Sequence, residues 1–359
     1  MSAPMLSAPF ARADSQVQAI MKRVMLALAP ATAFGVFIFG WPALLLLAVT
    51  ILSALLFEAL CLMLCGRPVR ATLLDGSALL SGWLTAMTLP PWAPWWIGVV
   101  GAAIAIVLGK QVYGGLGQNL FNPAMLARVA LLVSFPLEMT TWVHPTPLFS
   151  SLAPGLPDSL AITFSGAAAP DGMTGATLIG HIKTEFSQGH GLSEALAAGH
   201  YHFLKSFLGW TSGSLGETSA LLILLGGLWM LKQQIISWQI PVSMLGTVFF
   251  LACVFTLADG ERYPGPLFHL TSGALMLCAF FIATDYVTSP NSPWGQIIFG
   301  SGCGLIIFTI RTWGAYPEGA GFAVLLMNSL TPVIDHYVRP RIYGRDRTGR
   351  PLDLAEPKK

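Results

Sequence analysis

The chain has 359 residues, of which 54% are hydrophobic and 10% are charged. Soluble domains carry about 25% charged residues, so this composition excludes an ordinary soluble protein and indicates an integral membrane protein. The formal net charge of +2 gives no support to nucleic-acid binding. The five cysteines all lie within apolar runs, where we expect small buried hydrophobic residues rather than metal ligands.

Ten apolar segments resemble membrane-spanning helices, for which about 20 residues cross the hydrocarbon layer. The first five are predicted near 24–40, 42–65, 77–89, 93–109 and 124–137. The second five are predicted near 218–232, 238–258, 267–284, 294–310 and 320–338. The predicted domains are a cytoplasmic N-terminus (1–23), a first membrane repeat (24–137), an outer loop domain (138–217), a second repeat (218–338) and a basic tail (339–359).

Basic residues are distributed unevenly between the two sides that ten spans would create. Four of the nineteen fall on the side of the loop domain: Lys183, Lys205, Arg262 and Arg311. The other fifteen, among them Lys110 in the turn predicted after the fourth helix, fall on the side of the termini. Cytoplasmic loops carry the excess of lysine and arginine. We therefore predict cytoplasmic termini and an outer loop domain, which is periplasmic in a bacterium.

The two groups of five helices share short matches. Those of the first half are Ala78-Leu79, Thr88, Pro91-Trp92, Gly98 and Asn122, and those of the second are Ala274-Leu275, Thr284, Pro293-Trp294, Gly300 and Asn328. Because each half has an odd number of helices, a real repeat must be inverted in the membrane, and the short third helix suggests half-helices around a midplane site. The predicted fold is an all-α polytopic membrane protein with a 5+5 inverted repeat and a periplasmic loop domain.

A polar stretch interrupts the apolar segments at 114–132, which read GGLGQNLFNPAMLARVALL. Asn122 precedes Pro123, the arrangement of a helix N-cap followed by proline at the first helical position. Capping alone would explain this pattern. The amides of Asn119 and Asn122 beside Phe121 could also hold a flavin-like ring by hydrogen bonds and stacking.

Three charged residues lie within or at the ends of predicted helices. Arg128 and Glu58 lie inside them, where a charge is costly and requires a partner or a wet cavity. Asp285, within ATDYVTSPNSP, is either a solvated loop acid or a contact for an ion or cofactor. The seven histidines show no metal-binding spacing, and we predict neither a metal site nor a catalytic side chain.

The outer segment contains DGMTGATL at 171–178. Glycine, aspartate and threonine are ordinary loop residues, so a plain surface loop is the simplest explanation. The stretch is also similar to the flavinylation signature Asp-Gly-x-(Ser/Thr)-Gly-Ala-(Ser/Thr), at which a flavin transferase esterifies FMN phosphate to the last hydroxyl. The resemblance implies covalent FMN on Thr177, in a motif formed by Asp171, Gly172, Thr174, Gly175 and Ala176. Thr174 is the rival acceptor.

GGLGQNLFNPAMLARVALL and ATDYVTSP resemble segments of the NqrB/RnfD family of membrane proteins. Its members belong to the sodium-pumping NADH:quinone reductase (NqrB) and to the Rnf ion-translocating electron transport complex (RnfD). The resemblance extends over essentially the whole chain, and the short segment before the first helix favours the Rnf branch. It departs from the family at Tyr286, where a proline is expected after the Thr-Asp pair.

This resemblance implies a flavin-carrying membrane subunit of a bacterial inner-membrane complex that moves electrons between ferredoxin and NAD and transports Na⁺ or H⁺. It also implies a second, non-covalent flavin, riboflavin, near Asn119, Phe121 and Asn122. The sequence has no iron–sulfur or NAD motif, so the electron donor and acceptor sites would belong to the other Rnf subunits (A, B, C, E and G). A flavin transferase and membrane lipid are further expected partners, and nucleic acid is not.

A stand-alone inverted-repeat channel, or a secondary transporter for a small solute, is the alternative function. Covalent flavin distinguishes the two, because a simple channel has no use for it.

Overall fold

A computed structural model of the chain describes residues 15–151, 153–166, 174–199, 201–316 and 318–339. In this part of the chain the secondary structure is helical, apart from one antiparallel pair of two-residue strands. The predicted all-α class is confirmed.

The first half of the chain begins with a long helix that bends in the middle. α1 (Ser15–Leu64) is a pair of helices separated by Gly40, whose φ of 77° is not helical. These two helices match the two segments predicted near 24–40 and 42–65. The helices that follow are α2 (Val69–Leu73), α3 (Ser77–Thr88), α4 (Trp95–Ala103, continued by a π-helix at Ile104–Gln111), α5 (Pro123–Ser134) and α6 (Pro136–Thr140).

The outer segment consists of short elements. In chain order they are β1 (Trp142–Val143), α7 (Leu156–Ser165), β2 (Thr174–Gly175), α8 (Leu178–Ser187), α9 (Leu192–Ala198), α10 (Phe203–Leu208) and a 3₁₀ turn (Leu215–Glu217). Helices α8 and α9 share a small apolar cluster with Phe268, a residue of the second half. The outer segment therefore packs directly on the membrane part.

The second half is also helical, with one interruption. Its helices are α11 (Ala220–Lys232), α12 (Gln239–Ala258), α13 (Pro266–Thr271), α14 (Leu275–Leu277, continued by a π-helix at Cys278–Ile282), α15 (Pro293–Trp313) and α16 (Ala320–Tyr337). The helix predicted near 267–284 is broken between α13 and α14, where Gly273 has a left-handed φ of 71°. Only glycine adopts such a conformation without strain.

Three helices within the described residues are long and apolar enough to cross a membrane: Val17–Leu64 in α1, α12 and α15. Apolar helices of 10–17 residues accompany them at Trp95–Gln111, Pro123–Ser134 and Ala220–Lys232. The chain is thus a helical polytopic membrane protein. The number of spans and the inverted repeat stay predictions.

Two short helices, α3 and α14, meet at Gly216 of the 3₁₀ turn. A Cβ at Gly216 would lie 2.9 Å from the carbonyl oxygen of Met87 in α3 and would collide with the side chain of Leu277 in α14. Because Gly216 has no side chain, the two helices can approach the same backbone segment closely. This junction lies within the largest apolar core cluster, which includes Met87, Leu215 and Leu277.

Candidate functional site

Thr177 lies at the start of α8, where its backbone leaves β2 and enters the helix. It is the N-cap residue, and its Oγ accepts a hydrogen bond from the backbone N–H of Gly180 at 3.2 Å. Thr174 and Gly175 pair with Val143 and Trp142 of β1. The motif therefore forms a strand-to-helix turn at its C-terminal end. Asp171 and Gly172 lie outside the described residues.

Close packing explains why the motif has a glycine before Ala176. A Cβ at Gly175 would lie 2.6 Å from Cε1 of the His144 ring, closer than real contacts allow. Ala176 is exposed and Thr177 is partly exposed. An enzyme could therefore approach the Thr177 hydroxyl from solvent.

Thr177 also borders a cleft between the outer segment and the membrane helices. We call this the outer cleft, and its polar lining includes Arg128, Thr177, Ser212, Glu217, Ser272 and Glu318. Arg128 donates a hydrogen bond to the Thr88 carbonyl, and its guanidinium carbon lies 5.6 Å from the centroid of the Trp142 ring. The arginine inside α5 thus has the partners that its burial requires.

The acids of the outer cleft are held by neighbouring side chains. Glu217 accepts a hydrogen bond from Ser214 at 2.9 Å, and Glu318 accepts one from Arg311 at 2.9 Å. The buried hydroxyl of Ser272 has no hydrogen-bond partner among the described residues. The outer cleft therefore has two carboxyl groups, the guanidinium of Arg128 and a serine hydroxyl without a partner in the described structure, and Arg311 lies next to it.

Lys183 of α8 fixes this part of the outer segment to the membrane helices. Its ammonium donates to the carbonyl oxygens of Ile310 (2.9 Å), Gly314 (2.7 Å) and Tyr316 (2.6 Å) at the C-terminal end of α15. Burial lowers the pKa of Lys183 to about 8, and the charge of Glu318 opposes that shift. The ammonium form is the one that can donate to three carbonyls at once.

Asn119 and Asn122 line a second cavity of about 100 Å³, on the side of the chain termini predicted to be cytoplasmic. We call it the inner cavity. Asn122 is the N-cap of α5: its Oδ1 accepts from the N–H groups of Ala124 (3.1 Å) and Met125 (3.2 Å). The predicted cap is confirmed. Its Nδ2 donates to the Ile282 carbonyl at 3.3 Å.

The structure also gives the positions of Asn119, Phe121 and Asp285 relative to the inner cavity. Asn119 is buried and donates to the carbonyl of Phe121 at 3.2 Å, but the Phe121 ring does not line the cavity. Asp285 lines it and closes its own turn, accepting from the Thr288 hydroxyl at 3.2 Å. Aromatic rings of Phe280 and Phe281 form part of the apolar wall.

Glu58 has a partner that the sequence did not reveal. Its Oε1 lies 2.7 Å from Nζ of Lys110, and both side chains are buried. Placing Lys110 in a turn after the fourth helix was therefore wrong, because it lies within the π-helical continuation of α4. Arg311, counted among the basic residues of the outer side, is likewise buried within α15.

The outer cleft also contains residues that sequence reasoning missed. Glu217 and Glu318 lie just before α11 and α16, and Trp142 lies in β1. An acid next to the start of an apolar helix was the available signal, since such residues are costly unless they serve a site.

Comparison with known proteins assigns nearly the whole chain to one family. Residues 5–344 match the family model described as the NQR2, RnfD, RnfE family. The chain belongs to this family.

Similar proteins cover nearly the full length. A protein of Stutzerimonas stutzeri is 58% identical over 95% of this chain and 96% of its own length. One of Halorhodospira halophila is 52% identical over 97% of both chains, and one of Escherichia coli is 42% identical over 94% of this chain and 97% of its own. All three are named as the D subunit of an ion-translocating oxidoreductase complex.

Proposed function

We propose that this chain is the flavin-carrying membrane subunit of an ion-translocating ferredoxin:NAD oxidoreductase complex, equivalent to the RnfD protein of the Rnf complex. Family membership and relatives that match over more than nine-tenths of the chain support this role. The other Rnf subunits (A, B, C, E and G) would supply the donor and acceptor sites. In such systems the cofactor performs the redox chemistry, and the protein supplies position and electrostatics.

The position of Thr177 supports covalent attachment of FMN there, and this is the observation that carries the proposal. Its hydroxyl lies at the N-terminus of a ten-residue helix and borders the outer cleft. A phosphoester at a helix N-terminus is stabilised by free backbone N–H groups and by the helix dipole. Arg128 and Trp142 lie in or beside the same cleft, where they could contact an anionic, aromatic group.

The inner cavity supports binding of the second flavin, riboflavin. Its wall is largely apolar and aromatic, and the amides of Asn119 and Asn122 are among its few polar groups. A mostly apolar cavity with a few well-placed polar groups is the usual form of a cofactor site. One hydrogen of the Asn122 amide donates to Ile282, and the amide carries a second donor hydrogen.

Substitution of Thr177 tests the covalent flavin. We expect Thr177→Ala, co-expressed with the flavin transferase, to lose all flavin fluorescence of the denatured chain on a gel, because the ester oxygen is gone. Thr174→Ala should reduce labelling at most. Thr184→Ala, which changes the same residue type within α8, should keep full fluorescence.

The comparison with the unmodified chain decides between this function and a channel or secondary transporter. Full covalent flavin in Thr177→Ala would place the attachment elsewhere. No covalent flavin in the unmodified chain, with the transferase present, would favour the transporter.

The proposed location is the bacterial inner membrane, with both termini cytoplasmic and residues 138–217 periplasmic. The distribution of basic residues supports this orientation. A reporter fused after Arg350 should be active only in a form that works in the cytoplasm. Activity of a periplasm-only reporter at that position would reverse the orientation.

A further inference from the structure

Two buried cations occupy corresponding places in the two halves of the chain. Lys110 lies at the C-terminal end of the helix formed by α4 and its π-helical continuation, and Arg311 lies in the last turn of α15. These are the fourth helices of the two predicted repeats. Lys110 is 2% exposed and Arg311 is 3% exposed, so both charges are shielded from solvent and must be stabilised by protein groups.

Each cation is bonded at or just before a short helix in its own half. Nζ of Lys110 donates to Oγ of Ser77, the first residue of α3, at 2.7 Å. Arg311 donates to the carbonyl of Ser272, the C-cap of α13 that precedes α14, at 2.8 Å, and to the carbonyl of His269 in α13 at 2.7 Å. A left-handed glycine stands beside each serine: Gly76 has a φ of 81° and Gly273 has a φ of 71°.

Each cation is also paired with a carboxylate. Glu58 of α1 lies 2.7 Å from Lys110, and Glu318, before α16, lies 2.9 Å from Arg311. Glu58 and Glu318 do not occupy corresponding positions in the two halves. Duplication of one half of the sequence would therefore not by itself produce both ion pairs. Gly273 is required at the second contact, because a Cβ there would lie 2.6 Å from the Arg311 guanidinium.

The two short helices thus held are the ones that meet at Gly216. They also reach the two cavities: Lys110 and Ser77 line the inner cavity, as do Phe280 and Phe281 of the π-helical continuation of α14, while Ser272 and Glu318 line the outer cleft. Fixing the start of α3 therefore fixes part of the inner cavity, and fixing the turn before α14 fixes part of the outer cleft.

We propose that Lys110 and Arg311 are positioning residues that act as two latches, one for each short helix. The Lys110 latch holds α3 through Ser77 and Glu58. The Arg311 latch holds the turn before α14 through the carbonyls of His269 and Ser272, and its charge is paired with Glu318. Each latch restrains its own segment, so releasing one loosens the short helix that it holds while the other short helix stays in place. The latches require no bound flavin, so this inference does not rest on the proposed function, and either one can be disproved while the other stands.

Hydrogen–deuterium exchange of the purified full-length chain, measured by mass spectrometry, tests the latches. In Lys110→Met we expect amide exchange in 77–88 to rise about tenfold or more while exchange in 275–282 is unchanged. In Arg311→Met we expect the reverse. Lys232→Met is the matched control, because Lys232 is an exposed basic residue in the last turn of α11. It should alter neither helix.

A second variant separates the latch from misfolding. Lys110→Met alone leaves Glu58 as an unpaired buried charge, which can prevent folding. The double variant Lys110→Met/Glu58→Gln removes both charges. We expect it to recover the yield of the unmodified chain while exchange in 77–88 stays raised. Unchanged exchange in 77–88 in the double variant, or equal rises in both short helices after either single substitution, would overturn the proposal.

Discussion

The inner cavity and the outer cleft hold their polar groups in different ways. In the inner cavity the key amide, Asn122, is fixed by hydrogen bonds to the first turn of its own helix. In the outer cleft Arg128, Glu217 and Glu318 come from three distant segments, and the buried Arg128 depends on the Thr88 carbonyl 40 positions away. Local sequence therefore fixes Asn122, and tertiary packing fixes Arg128. Substitution should be tolerated better at Asn122 than at Arg128.

The largest expected effect is at Arg128. Arg128→Gln leaves the buried Thr88 carbonyl without its donor and removes the contact with Trp142, so we expect a loss of about 3 kcal/mol in the free energy of unfolding. Unfolding of the purified protein in mixed micelles, followed by tryptophan fluorescence, measures it. Arg262→Gln is the control at an exposed arginine. Equal stability of the two variants would mean that the outer cleft does not depend on buried charge.

An intermediate effect is expected at Gly216, the junction of α3 and α14. Gly216→Ala forces a methyl group against Met87 and Leu277, which should cost about 2 kcal/mol. Gly246→Ala is the matched control, because a Cβ at this glycine of α12 would meet no atom within 4 Å. If both substitutions had the same effect on thermal stability, close packing at the junction would be excluded as the cause.

The smallest effect on stability is expected at Asn122. Asn122→Ala removes the cap of α5 and should cost about 1 kcal/mol. It should also lower non-covalent flavin, while covalent FMN on Thr177 is unchanged.

Asn122→Ser separates the cap from the flavin contact. It keeps an uncharged oxygen acceptor for the cap but loses the amide, so most of the stability should be retained and non-covalent flavin should still fall. Extraction and quantification of released flavin from both variants makes the measurement. Normal flavin content in both would leave Asn122 with capping alone.

The features that could be predicted from the sequence are those set by local pattern. Apolar runs indicated the positions of the helices, and Asn122-Pro123 indicated the start of α5. The pairing of Glu58 with Lys110 could not be predicted, because it joins residues 52 positions apart. The count of basic residues on each side placed Lys110 in a turn, because the sequence alone does not distinguish a buried cation from a solvated one. The break before α14 was also missed, because one glycine within an apolar run does not by itself indicate a broken helix.

The three hydrogen bonds from Lys183 join α8 to the C-terminal end of α15. Thr177 begins α8, and Arg311 lies in the last turn of α15. A shift of α15 should therefore displace Thr177 as well. Electron tunnelling slows steeply as the gap between two redox centres widens. The position of α15 would then set the distance between a flavin attached at Thr177 and the other redox centres, and through that distance the rate of electron transfer.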